Sequence, residues 1–415
     1  MAKILFHTLG SSGDLNPFVA LGLELRRRGH DVQFAVSPRQ ASWLRKLGLD
    51  AVDMGADLDP HSELMRRLLA ASQFEPIRLL FQEVLVPDIV PAVRALEPLA
   101  READLFVSHS IQLAARAVAH RTGVRWITAS PAPLVFPTGA YPPPGVAWKG
   151  CPAALSRLAW SLGTRLFSGL DALANAEYAT LGVPPIANVV NGGAYSRRLT
   201  LGLWSPAYFP RPPDWPHWLQ IGGYARWDGP SSLSSPVSPE LGARGRSSPF
   251  VIFTLGSSVV NDPRGFWETA LGAIAPTDWR GVLLGAPLDL PVPPSLQDRV
   301  QAISFAPYDD LFPQASAIVH QGGVGTTQAA CFYGVPSVIV PRGFDQYENA
   351  AHVQREGWGL RLLPQNLSAV ALRFRLERLL RSTEIKQRVG SLARQMQAEL
   401  GVAGSADKVE AALKP

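Results

Sequence analysis

Two doubly wound α/β domains are what this sequence predicts, and three observations carry the prediction. Short apolar runs of strand type alternate with stretches of helical spacing along most of the chain, the pattern of βαβ units feeding a parallel sheet. At 415 residues the chain exceeds what one hydrophobic core usually spans. The segment Gly229 to Pro249 is rich in Ser, Pro, Gly and Arg and lacks apolar periodicity, so it reads as a linker. The expected domains are 1–228 and 250–415 joined by 229–249, with the last helix free to pack back on the N-terminal domain.

In the first half, Ile4 to Phe6 is the opening strand and His7 ends it. The loop that follows carries Gly10 and Gly13; Asn16 reads as a helix N-cap and Pro17 as the first helical residue. Phe18, Leu21, Gly22 and Leu25 fall at helical spacing, Arg26 to Arg28 suit the negative helix end, and Gly29 closes it. Asp31 to Val36, Leu105 to Val107, Trp126 to Thr128 and Leu199 to Leu203 are the next strands. Two segments interrupt the rhythm. From His61 to Leu99, Leu64, Leu68, Leu79, Phe81 and Leu85 stand among few charges; from Ser130 to Pro185, Pro142 to Pro144, Trp148, Trp160 and Phe167 occupy loops and helices. Core helices on the sheet and the lining of an apolar acceptor cleft are both open readings of these segments.

After the linker the pattern restarts with Phe250 to Thr254, the loop Leu255-Gly256-Ser257-Ser258 and a helix from about Pro263. Strands follow near Val282 to Leu284, Val300 to Ser304 and Ala317 to Val319. The last of these runs through His320, Gly322, Gly323 and Gly325 into a helical run, Thr326 to Tyr333. Gly334 sits where a helix C′ residue belongs, Pro336 stops continuation, and Ser337 to Val340 is another buried strand. A glycine turn feeding a helix N-terminus offers bare backbone N–H groups and the positive end of the dipole to an anion, and His320 adds a donor. The expected guest is a phosphate or diphosphate. Ala369 to Leu413 is a helical tail, with Gly401 and Gly404 as breaks.

Composition excludes several classes. With 47% hydrophobic and 18% charged residues the chain is no disordered tail, and no apolar run approaches the roughly 18 to 20 residues of a membrane span. The N-terminus runs directly into a strand without a leader-type apolar segment, which predicts a cytoplasmic location. Cys151 and Cys331 are too far apart in sequence to suggest a disulfide framework or a metal cluster. A net charge of +5, with no aromatic residues interleaved among the basic clusters, argues against nucleic acid. A dinucleotide oxidoreductase would need G-x-G-x-x-G after the first strand and an acidic end to the second; here Gly10 and Gly13 stand alone and the second strand runs to Ser37.

His320, Gly322, Gly323, Gly325 and Thr326, then Gly334-Val335-Pro336, then Asp345-Gln346 with Asn349-Ala350 resemble the donor signature of family-1 glycosyltransferases with the GT-B fold. Gly10-Ser11-Ser12-Gly13-Asp14 with Pro17 and Gly29-His30 resembles the acceptor-side signature of the sterol glucosyltransferase and antibiotic glycosyltransferase branches. Asp214-Trp215-Pro216 before Gly222-Gly223-Tyr224 is most similar to bacterial rhamnosyltransferases that make rhamnolipids. The resemblance covers nearly the whole chain. It implies a GT-B protein, two Rossmann-like domains facing a central cleft, and an inverting, metal-independent transfer of a sugar from a nucleotide diphosphate to a hydroxyl of a hydrophobic small-molecule or lipid acceptor.

Such a transfer needs a base for the acceptor proton and a stabiliser for the departing diphosphate. The resemblance gives Asp14 as the base, and His7, ending the first strand, is the rival. Ser12, Ser257, His320, Gly322, Gly323, Gly325 and Thr326 would hold the diphosphate; Phe305 and Ala306 would read the base and Gln328 the ribose; Asp345 and Gln346 would bind sugar hydroxyls. Plant relatives have glutamate for the ribose hydroxyls where Gln328 stands and tryptophan where Gly323 stands; base stacking at Gly323 is lost, and the change at Gln328 leaves both UDP- and dTDP-sugars open as donors. Asp57-Leu58-Asp59 matches D-x-D but equally suits a polar turn, so no metal and no cofactor beyond the nucleotide sugar is expected. A non-catalytic nucleotide-sugar-binding accessory protein is the alternative. A lipid acceptor would bring a peripheral membrane contact with it.

Overall fold

The computed structural model describes residues 1–55, 62–70, 75–133, 136–143, 151–229, 237, 248–256, 263–287, 289–343 and 345–414. The chain forms two compact units, Met1–Ala225 with Glu399–Pro415 and Arg226–Ala398. The first holds β1 (Lys3–His7), β2 (Asp31–Val36), β3 (Asp50–Asp53), β4 (Leu105–His109), β5 (Trp126–Ser130), β6 (Thr200–Gly202) and β7 (Leu219–Ile221), all parallel, in the order β3-β2-β1-β4-β5-β6-β7. The second holds β8 (Phe250–Thr254), β9 (Arg280–Leu284), β10 (Val300–Ile303), β11 (Ala317–His320), β12 (Ser337–Ile339) and β13 (Gly359–Arg361), again parallel, in the order β10-β9-β8-β11-β12-β13.

These orders locate the functional ends of the sheets. In each sheet the direction of winding reverses between the first strand and the fourth, and at that switch the loops leaving the strands' carboxyl ends diverge, which is where open α/β sheets receive ligands. The switch lies between β1 and β4 in one unit, where His7 pairs with Ser108, and between β8 and β11 in the other, where His320 pairs with Thr254. Residues of β4, β8, β9 and β11 are buried throughout, as expected of central parallel strands covered on both faces by helices.

The first interrupting segment contributes to the core from Phe81 onward. Phe81, Leu85, Ile89, Val93 and Leu96 join Leu5 and Phe106 in one apolar cluster, each large side chain contributing about 1.5–3 kcal/mol by leaving water. In the second, Phe136 packs against Tyr195, Trp204 and Trp215 at centroid distances of 5.2, 6.1 and 5.4 Å. Asp214 accepts hydrogen bonds from Thr138 Oγ1 and the Gly139 N–H, both at 2.6 Å. Asp214-Trp215-Pro216 therefore braces the loop after β5. Pro144 and Trp148 lie outside the described residues, as does nearly all of the expected linker.

Two boundaries differ from the sequence reading. The first helix, Ser12–Arg27, starts a turn before the expected Asn16 cap: Ser11 is its N-cap, accepting from the Gly13 N–H, and Pro17 lies inside it. Ser11 and Asp14 form a capping box, which satisfies two of the helix's orphan N–H groups and outweighs proline's preference for the first position. Gly404, expected as a break, lies inside the helix Val402–Leu413, and Gly401 at φ +56° makes the break. The reason is close approach: a Cβ on Gly404 would sit 2.6 Å from the Gly222 carbonyl, and one on Gly223 2.4 Å from the Gly401 carbonyl. That helix also ties to the end of the first one through Arg28, which bonds Asp407 and Glu410 at 2.7 Å each. The chain's last segment thus belongs to the first unit.

Candidate active site

In the first unit the site grows from β1 and its turn. Asp14, at the third position of the helix, accepts the Ser11 N–H at 2.8 Å and the Ser11 hydroxyl at 3.1 Å, both through Oδ2. Gly10 makes this possible: it has φ +120°, and a Cβ there would meet Asp14 Oδ2 at 2.3 Å. One carboxylate oxygen is thereby committed to the helix cap. The other, Oδ1, faces His109 Nε2 at 3.6 Å, and the Asp14 side chain is one-third exposed. The cap thus uses Oδ2 and not Oδ1. Ser12 is exposed on the first turn of the same helix.

His7 and His109 end the two strands that flank the switch point. Ala35 O lies 2.8 Å from His7 Nδ1, so Nδ1 carries the proton and donates. Burial lowers the His7 pKa to about 4, partly offset by that bond and by the Gln112 side chain. His7 is buried, whereas the Asp14 side chain is one-third exposed and open to a substrate, which ranks His7 behind Asp14. His109 is missing from the sequence reading. It stands 95 positions from Asp14 and outside the quoted motifs; the signal available was that it, like His7 and His320, closes a buried strand.

In the second unit the turn after β11 leads from a buried histidine into a helix N-terminus. His320 is fully buried, its Nδ1 accepts the Gly322 N–H at 3.0 Å, and its Nε2 has no hydrogen-bond partner among the described residues. An Nδ1 that accepts leaves the proton on Nε2. Burial lowers this pKa to about 3, so His320 presents a neutral N–H donor. The helix Val324–Phe332 follows, with Gly323 as an N-cap that brings no side-chain bond. Gly322 has φ +96°, and a Cβ there would strike Ile339 Cγ2 at 2.7 Å. At Gly325, by contrast, a Cβ would meet nothing within 4 Å. Packing within the protein does not demand glycine there, whereas a ligand lying close to the backbone would.

Around this turn, Thr326 Oγ1 lies 3.0 Å from the Tyr308 hydroxyl. Asn349 donates to the Gly322 carbonyl and to Asp345 Oδ2, both at 2.9 Å, so the carboxylate is oriented from the same side chain that fixes the turn. Gln346 Oε1 accepts the Arg342 N–H at 2.8 Å and the Gly343 N–H at 3.2 Å, bonds that do not use its amide nitrogen. Gln328 is buried inside the helix, Ala306 is buried after β10, and Phe305 beside it is 36% exposed. Ser257 and Asp57 to Asp59 lie outside the described residues. Among the described residues no three His, Cys, Asp or Glu side chains are grouped to hold a metal ion, and no helix is long and apolar enough to cross a membrane.

Two doubly wound parallel sheets, the second with a glycine turn and a helix N-terminus at its switch point, are the architecture of the GT-B fold. The comparisons agree. The glycosyltransferase family 28 N-terminal domain matches residues 4–87, and the C-terminal domain of erythromycin biosynthesis protein CIII-like proteins matches residues 287–411. The chain belongs to the family-1 glycosyltransferases of the GT-B fold. It is 28% identical over 445 residues to the sterol 3-beta-glucosyltransferase UGT80B1 of Arabidopsis thaliana, covering 100% of this chain and 68% of that protein. It is 29% identical to the glycosyltransferase GtfC of Amycolatopsis orientalis over 87% of this chain and 86% of that one. It spans only 25% of the length of the sterol 3-beta-glucosyltransferase of Leptosphaeria maculans. Glycosyltransferase VinC, solved in complex with dTDP, shares the fold at a TM-score of 0.70 and 22% identity, covering 99% of each chain.

Proposed function

We propose that this enzyme is an inverting, metal-independent glycosyltransferase that moves a sugar from a UDP- or dTDP-linked donor to a hydroxyl of a hydrophobic small molecule or lipid. One observation carries the reading: the buried Nε2–H of His320, without a partner among the described residues, beside a helix N-terminus that has no side-chain cap. A buried donor without an acceptor costs about 1–3 kcal/mol, and a diphosphate oxygen would remove that cost. The acceptor oxygen attacks the anomeric carbon as its proton passes to Asp14 Oδ1. The bond from that carbon to the diphosphate oxygen breaks, and the diphosphate leaves with the electron pair. His320 Nε2–H and the first-turn N–H groups receive the charge, the task a metal ion performs elsewhere. In the same reading the Asp345 carboxylate and the Gln346 amide nitrogen bind the sugar, Phe305, Ala306 and Gln328 the nucleoside, and Ser12 and Ser257 reach for phosphate. VinC's complex with dTDP supports including dTDP donors, and the sterol and antibiotic relatives support an apolar acceptor.

A panel of UDP- and dTDP-sugars tests this. A true donor raises the melting temperature through binding to the native state. With an acceptor present it then yields a product of inverted anomeric configuration by NMR, at a rate unchanged by EDTA. Retained configuration, or activity abolished by EDTA, rejects the mechanism; binding without product, with acceptors of every class tried, favours the accessory protein.

A peripheral membrane contact and cytoplasmic location belong to this reading. The helix Ala153–Leu166 buries only Ser156 and Trp160, while Leu155, Leu158, Leu162 and Leu166 are 44, 54, 55 and 61% exposed along one face. Its two charged residues, Arg157 and Arg165, are basic, as suits an interfacial helix on anionic lipid. The double substitution Leu158→Glu with Leu162→Glu is expected to cut co-sedimentation with anionic vesicles about tenfold and to spare turnover of a water-soluble acceptor. Unchanged co-sedimentation would put the contact elsewhere or nowhere.

A further inference from the structure

His109 is nine-tenths buried or more, and its surroundings leave it one free function. The Ile111 N–H donates to Nδ1 at 3.2 Å, which places the ring proton on Nε2. The ring lies on Phe18 at a centroid distance of 5.6 Å and an interplanar angle of 22°, so its plane is set as well. Nε2 has no hydrogen-bond partner among the described residues. It faces Asp14 Oδ1 at 3.6 Å, beyond hydrogen-bond reach, while the other carboxylate oxygen is held by Ser11. A fixed N–H donor and a fixed carboxylate acceptor thus converge without touching.

An atom about 2.8 Å from both completes the pair if it accepts from one and donates to the other. An alcohol oxygen does both, having one proton and two lone pairs. We propose that His109 and Asp14 together seat the acceptor hydroxyl, Nε2–H holding one lone pair of its oxygen while Oδ1 takes its proton. The second lone pair then points away from both groups and is the one that attacks. This rests on Asp14 being the base, and it assigns His109 a positioning role for the substrate oxygen that Asp14 alone lacks. A carboxylate by itself fixes the direction of the O–H bond and leaves rotation about it free; a second contact on the same oxygen removes that freedom.

The test uses the full chain with the donor and acceptor found to be active. His109→Phe keeps the ring on Phe18 and removes the donor; His109→Gln returns an N–H at nearly the reach of Nε2. His109→Phe is expected to lower kcat/KM for the acceptor 10- to 100-fold while the donor nucleotide's Kd stays within twofold. His109→Gln is expected to recover at least a third of that loss on a logarithmic scale. In the double variant with Asp14→Asn the two losses should combine less than multiplicatively, since both act on one oxygen. Near-wild-type acceptor kinetics in His109→Phe, with Asp14→Asn inactive, overturns the seat and leaves the base standing. An active Asp14→Asn overturns the base and the seat with it. If His109→Phe loses its cooperative thermal transition, His109→Gln decides: intact folding with kinetics no better than an unfolded control overturns the N–H role, and recovered turnover supports it.

Discussion

Asp14→Asn is expected to lower kcat roughly 10²- to 10⁴-fold, the usual worth of a positioned general base, while UDP or dTDP binds within twofold of wild type. The separation follows from the two oxygens. Oδ2 is engaged by the Ser11 N–H and hydroxyl, and an amide oxygen accepts from that N–H as well as a carboxylate oxygen does, so the capping box survives in large part. Loss of a cap costs about 1 kcal/mol at most sites, a shift of a few degrees in melting temperature. What an amide cannot do is take a proton at neutral pH. Turnover and calorimetric nucleotide affinity measured on the same preparation check the claim. Wild-type turnover in this variant would remove Asp14 from the chemistry and leave it a helix brace; equal losses of turnover and affinity would mean that the turn itself had collapsed.

The two glycine turns were legible in the sequence because both requirements they meet are local. Gly322 must adopt φ +96° against Ile339, and Gly10 φ +120° against Asp14; such constraints leave glycine at fixed offsets from a strand end, where a motif records them. The strands were legible for the reason that central parallel strands are buried on both faces. The start of the first helix was not, since Asn16-Pro17 and Ser11 with Asp14 are rival signals and only the capping box satisfies N–H groups reciprocally. Nor was the part played by Gly222-Gly223, which in the sequence belong only to a resemblance but which the fold uses to admit Gly401 and Gly404. His109 was illegible for a different reason. Its meaning lies in a distance to Asp14 that exists only once β1 and β4 are neighbours, and a pairing across 95 positions leaves no periodicity to read.

His320→Asn is expected to lower kcat roughly 10²- to 10³-fold, the range for removing one donor aimed at developing negative charge, and to raise the donor's KM only severalfold. Asparagine is the informative choice because its amide oxygen falls near Nδ1 and continues to accept the Gly322 N–H, whereas nothing replaces the Nε2–H. The same substitution carries a signature in stability. Burial holds the His320 pKa at about 3 in the native state, against about 6.5 when unfolded. The folded pKa is the lower, so the unfolded state binds the proton first as pH falls. Stability is therefore full above about 6.5 and is lost between there and about 3, by up to about 1.4 kcal/mol per pH unit for this one group. An asparagine does not titrate, so the variant's denaturation midpoint should decline less steeply below pH 6.5, with His7, lowered to about 4 by its own burial, supplying part of what slope remains. Kinetics and acid stability thus report the same imidazole independently. Undiminished kcat together with the shallower acid slope would show His320 to be buried and neutral as described yet outside the path of the leaving diphosphate, and the anion site would then rest on the helix N-terminus that follows it.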